Sequence, residues 1–125
     1  MSGDPYSKSR QLARGERRYR RKVASPKQWQ AIRAEKCSGH CRICNIAAPA
    51  GGLDSHHLVA RDRFGDDVPA NIIGLCRDCH RGVELREPAH CRLLLTRLAD
   101  AEYAYMVERG GEDYAERVYG VEYER

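Results

Sequence analysis

Two short stretches, LDSHHLV at 53–59 and IIGL at 72–75, have the length and aliphatic content of strands, and the loop RDRFGDDVPA at 61–70 separates them. Neighbouring side chains on a strand point to opposite faces, so the adjacent His56 and His57 serve two different environments. Upstream, Ser25-Pro26 reads as a helix start with Ser25 as cap. The helix it opens runs to about Glu35, with Trp29 and Ile32 on one face. A further helix is expected from near Cys79 to about Leu85, ending before Pro88. Beyond residue 88 the pattern is helical throughout. Leu94, Leu95 and Leu98 share one face of a first helix, and Asp100 can cap a second that carries Tyr103, Met106 and Val107. Gly110-Gly111 ends that helix, and a last short one from Glu112 to Tyr119 closes at Gly120. The picture is a small α+β protein.

Composition narrows the class. The 125 residues make about one domain, with no apolar run near the ~20 residues needed to span a bilayer. The first residues carry charges where a secretory signal needs an apolar stretch, so a cytoplasmic location is expected. In a reducing compartment six cysteines, four of them in two close pairs, point to metal rather than to disulfides.

Charge is unevenly spread. Residues 1–42 hold twelve Lys and Arg against three Asp and Glu, whereas the remainder holds ten basic and fifteen acidic residues. The block RGERRYRRK, with Arg17, Arg18, Arg20 and Arg21, has the character of an arm for a polyanion such as nucleic acid; a solvated tail is the plainer alternative. Residues 1–24 are accordingly expected to form a basic arm.

Cys41-x2-Cys44 and Cys76-x2-Cys79 have the spacing of two zinc knuckles. Four thiolates fill a tetrahedral site and leave no position for water or substrate, so this ion would be structural. Cys37, four residues before Cys41, is a competing ligand, and Cys91 reads as a small buried hydrophobe. His80 directly follows the last knuckle cysteine, and Glu84 lies one helical turn further on the same face. Facing a strand that carries His56, this pair can hold a second divalent cation with open positions, as catalysis requires. His57 would then be left unligated, free to accept a proton. Asp54, on the same strand face as His56, is either a partner that orients the ligand or a solvated carboxylate. Arg61, Arg63, Arg77 and Arg81 are candidate phosphate clamps or ordinary surface arginines, while Asp66 and Asp67 read as turn residues rather than ligands. His40 and His90, each standing alone, are expected to be structural.

The ordered series Cys41-x2-Cys44, Asp54-Ser55-His56-His57, Asn71, Cys76-x2-Cys79-His80 resembles the HNH endonuclease family, in its zinc-stapled four-cysteine subgroup, over about residues 37–85. The helical tail is similar, by composition and position, to small phage-encoded HNH proteins. The resemblance implies a ββα-metal, treble-clef-like core flanked by a basic arm and C-terminal helices. It assigns His57 as the general base, His56 and His80 as ligands of a catalytic ion, and Asn71 as the residue that holds the loop and orients His57 through backbone contacts. Many relatives have a further histidine four residues after the last one. Here that position is Glu84, a carboxylate that favours Mg2+ or Mn2+, with Ni2+ as a further candidate.

These readings divide the chain into an arm (1–24), an HNH nuclease domain (25–87) and a helical extension packed on it (88–125). The expected activity is metal-dependent hydrolysis of DNA phosphodiesters, and the phage-like tail adds work beside terminase subunits in DNA packaging. A non-catalytic zinc module that binds DNA or protein, or a degenerate HNH partner protein, is the rival. That rival leaves His56, His57, Asn71 and His80 without a purpose. Whether the chain acts as a monomer or a dimer, and nicks or cuts both strands, is left open by the sequence.

Overall fold

The computed structural model describes residues 20–123. Ser25 opens the first helix, α1 (Pro26–Lys36): its hydroxyl accepts from the Gln28 amide, and the Gln28 side chain accepts from the Ser25 amide. Both exposed backbone donors are thereby satisfied, as the Ser-Pro start suggests. A turn region with the first cysteine pair leads into β1 (Asp54–His57), which pairs antiparallel with β2 (Ile72–Leu75) in a two-stranded sheet. Register sets His56 opposite Ile73 and His57 opposite Ile72. β1 is shorter than the 53–59 expected. Past His57 the chain bonds instead to Asn71, whose carbonyl accepts from the Leu58 amide and whose side-chain oxygen accepts from the Val59 amide.

Next comes α2 (Arg77–Glu84), which starts two residues earlier than expected because Cys76 serves as its cap, its sulfur accepting from the Cys79 amide. Three helices follow: α3 (Pro88–Thr96), α4 (Asp100–Gly110) and α5 (Tyr114–Tyr119). Asp100 lies inside α4 rather than capping it. The cap position is Ala99, and the buried Glu102 reaches back to accept from the Ala99 amide. Gly120 closes α5 in the left-handed conformation (φ 71) that a glycine adopts without strain.

One buried cluster includes Ile32 of α1, Leu53, Leu58 and Val59 around β1, all three aliphatics of β2, Val83 of α2, Cys91, Leu94 and Leu95 of α3, Met106 of α4, and Tyr114 and Tyr119 of α5. A two-stranded sheet is marginal by itself in water, and these helices supply the apolar cover it needs. Among the described residues no helix is long and apolar enough to cross a membrane.

Candidate active site

The four cysteines of the two pairs converge, with their sulfurs within 4.8 Å of one another. Cys44 Sγ and Cys76 Sγ are 3.7 Å apart. A tetrahedral zinc with Zn–S bonds of ~2.3 Å sets its sulfurs about 3.8 Å apart, so the donor set and the spacing both fit that ion. Burial disfavours ionisation of Cys41, but backbone donors at Cys44, Cys76 and Ile43 outweigh it and bring the thiol down to about 6. A thiol that ionises this readily is a ready metal ligand. Burial pushes Cys76 and Cys79 upward, as thiols crowded around one point must be until a cation neutralises them. Cys37 is not among the converging cysteines. Its sulfur points to the Asp54 carbonyl, and burial raises it.

On the other side of β1 and α2 a second group forms. One ligand atom each from His56, His80 and Glu84 lies within 4.8 Å of the others. Alternation along β1 buries His56, and the turn of α2 stacks Glu84 beside His80, with His80 Nε2 3.3 Å from Glu84 Oε2. His80 Nδ1 faces Asp54 Oδ2 at 3.2 Å. Asp54 therefore contacts the histidine of the helix rather than His56, its neighbour in sequence. Burial, reinforced by the nearby His80 and Arg86, holds His56 down to about 3, so it is neutral and able to ligate.

His57 points to the opposite side of β1. Its ring stacks on Trp29 (centroids 5.8 Å apart, planes 15° apart), and its Nε2 lies 2.8 Å from Asp67 Oδ1. Arg61 Nε also lies 3.3 Å from Nε2, but the shorter contact is to a carboxylate, which accepts and cannot donate, so Nε2 carries the proton and Nδ1 is the basic nitrogen. Burial lowers the affinity of His57 for a proton, while Asp67 partly offsets that effect. Asp67 also receives Arg21 Nη2 at 2.6 Å and the Ala24 amide at 3.0 Å. Asp66 accepts from the Lys22 amide and from Tyr105 Oη, both at 2.6 Å. The two aspartates, expected as turn residues from their loop position, are buried anchors between residues 21–24, the loop and α4.

Asn71 is fully buried and lies off the cavity. Its amide donates to the carbonyls of Val59 and Asp66, closing the loop that carries Asp67. A cavity of about 540 Å3 joins the two sides of the strand, lined by His56, His57, His80 and Glu84. Of the arginines singled out from sequence only Arg61 lines it. Arg77 faces Asp54 across 3.5 Å in a neighbouring groove; Arg63 and Arg81 are exposed outside both. Arg20 is exposed and Arg21 is committed to Asp67 and the Gly65 carbonyl, while Arg17 and Arg18 lie outside the described residues. The cavity wall also holds Trp29, Arg86, Tyr114 and Tyr119, none of which carries a spacing signal. Arg86 adopts a left-handed backbone (φ 60) just past α2, which sets its guanidinium 5.0 Å from the Tyr119 ring centroid.

No curated protein and no solved structure matches the chain. Residues 41–84, from the first clustered cysteine to the carboxylate that closes the second group, match the model of the HNH endonuclease family, and the four cysteines fit its zinc-stapled subgroup.

Proposed function

We propose that this chain is a metal-dependent DNA endonuclease of the HNH type, with a structural zinc on Cys41, Cys44, Cys76 and Cys79 and a separate divalent ion on His56, His80 and Glu84. One observation carries the reading: the neutral, unligated His57 and the three-ligand group open into the same cavity. Hydrolysis of a phosphodiester needs a base for the attacking water and positive charge at the scissile phosphate. His57 Nδ1 takes the proton from water, while the Nε2–H bond to Asp67 fixes the ring and stabilises the imidazolium that forms. Trp29 keeps that ring from rotating. Arg61 and Arg86, on the cavity wall, bind the phosphate oxygens. A divalent ion held by His56, His80 and Glu84 would supply Lewis-acid stabilisation of the charge that develops there, and two imidazoles with a carboxylate suit Mg2+, Mn2+ or Ni2+. Asn71 acts at one remove, by holding the loop that presents Asp67. The β1–β2–α2 order is that of a ββα-metal core, and the basic arm adds sequence-independent contacts to the DNA backbone. The tail's resemblance in composition and position to small phage-encoded HNH proteins is the ground on which we propose assistance to a packaging terminase.

A non-catalytic zinc module is the rival reading, and the exposure of Glu84, whose side chain is 64 % accessible, is what favours it. Cleavage of supercoiled plasmid decides between them. The protein is assayed with Mg2+, Mn2+, Ni2+ or EDTA beside a His57→Ala variant of equal zinc content. Ion-dependent nicking or linearisation that disappears in the variant is expected, a loss of roughly 100-fold or more for a missing general base. Zinc-loaded protein that shifts DNA in a gel but never cuts it would refute the catalytic assignment.

A further inference from the structure

Tyr119, on α5 and outside the segment that matches the HNH family, enters the cavity beside His56. It is 3 % exposed, and its hydroxyl stands between two partners: the Leu58 carbonyl at 2.7 Å and His56 Nε2 at 2.9 Å. A phenol has one proton to give and a carbonyl can only accept, so that proton goes to Leu58. The phenol oxygen is left to accept, and His56 must supply Nε2–H. A neutral imidazole with its proton on Nε2 presents a lone pair at Nδ1.

We propose that Tyr119 is a positioning residue that holds His56 in the Nε2–H form and so commits Nδ1 to the divalent ion, which makes α5 a working part of the active site. The inference rests on the reading of His56 as a ligand of that ion. Its logic is that of ligand histidines generally, whose second nitrogen is tied to an acceptor that fixes ring orientation and tautomer. The acceptor here is itself fixed by the main chain of Leu58, the residue that follows the strand carrying the histidine. The chain Leu58 C=O, Tyr119 Oη–H, His56 Nε2–H thus runs from the residue just past β1 through α5 and back to β1. The ring of Tyr119 is held independently, by Arg86 over its face and by Tyr114 at 6.0 Å, so removing the hydroxyl leaves the packing in place.

The test begins with the unsubstituted, zinc-loaded protein. Nitrogen-15 NMR of the imidazoles should show His56 as a single Nε2–H form with a slowly exchanging ring N–H, and Mn2+ should broaden its resonances. In Tyr119→Phe that N–H should exchange quickly and Mn2+ affinity, measured by titration, should fall about 10-fold or more, with zinc content unchanged. An Nδ1–H form in the unsubstituted protein overturns the proposal without any variant. So does a Tyr119→Phe protein that keeps both the slow N–H and full Mn2+ affinity, in which case the ligand reading of His56 survives alone. If Mn2+ leaves His56 of the unsubstituted protein untouched, that reading falls and takes the proposal with it.

Discussion

At position 65 the backbone tolerates a hydrogen and nothing larger. A methyl group there would overlap the Val59 carbonyl and come within 2.9 Å of the Ala60 oxygen, both of them main-chain atoms that cannot swing aside. The Gly65 carbonyl meanwhile accepts from Arg21 Nε, and the next two residues are the buried Asp66 and Asp67. Gly65→Ala must therefore push the loop outward and pull Asp67 from His57. A loss of about 2–4 kcal/mol is expected, read as a lower midpoint of urea unfolding in zinc-loaded protein. An unchanged midpoint would show that the loop yields freely. Residues of this kind are hard to read from sequence, since an aspartate in a loop looks the same whether it is solvated or anchors three partners. Candidate metal ligands differ: Cys41, Cys44, Cys76 and Cys79 announce themselves because spacing is itself the chemistry of a knuckle. Tyr119 was hidden for the opposite reason, as a tyrosine in a helical stripe looks like core and only its hydroxyl distinguishes it.

Between elements, the joint with most at stake is Glu102. Its carboxylate is 2 % exposed and binds Lys36 Nζ at 2.6 Å, Arg42 Nη1 at 2.5 Å and the Ala99 amide at 2.7 Å. It thereby fastens α4 to the end of α1 and to the first cysteine turn. Burial alone would raise Glu102, but Arg42, Lys36 and the Ala99 amide outweigh it and hold the carboxyl below the usual range. A depressed acid stabilises the fold above its unfolded value of ~4.3, and that contribution is lost as pH falls through the folded value. Glu102→Gln, which keeps the shape and the bond to Ala99, should cost about 2–3 kcal/mol at pH 7, somewhat less than a fully buried pair because both cations are partly accessible. The gap between variant and wild type should then narrow only once pH falls below about 4, and should close as the folded carboxyl itself takes up its proton, because protonation makes the two alike. Parallel stability curves across that range would mean that the charge contributes nothing. Element boundaries were legible where local chemistry decides them, as at Ser25-Pro26 and Gly120. They shifted where a distant partner decides, as where Cys76 caps α2 and Asn71 ends β1.

At the level of the whole molecule, the order of elements followed from the sequence, but which helix covers which face of the sheet did not, because stripes on α3, α4 and α5 are compatible with several packings. The two candidate metal sites nonetheless make separable demands on that packing. The cysteine cluster joins the turn after α1 to the start of α2, so an ion held there would bridge segments more than thirty residues apart, and its loss would free both at once. The His56, His80 and Glu84 group lies between elements already held by the sheet and by α5, and an ion bound weakly there adds little to folding. Dialysis into buffer free of Mg2+ and Mn2+, with zinc retained, should abolish cutting and leave the melting temperature within about 2 °C. Stripping zinc with a strong thiol-competing chelator should instead lower it by at least about 10 °C, or erase the transition, since the free energy of binding a structural zinc is folding free energy. Cys44→Ser should mimic the second treatment, because its exposed sulfur contributes little packing and much ligation. Should the stripped protein melt at the original temperature, the four cysteines would be buried thiols held by the core, and the fold would owe nothing to a metal.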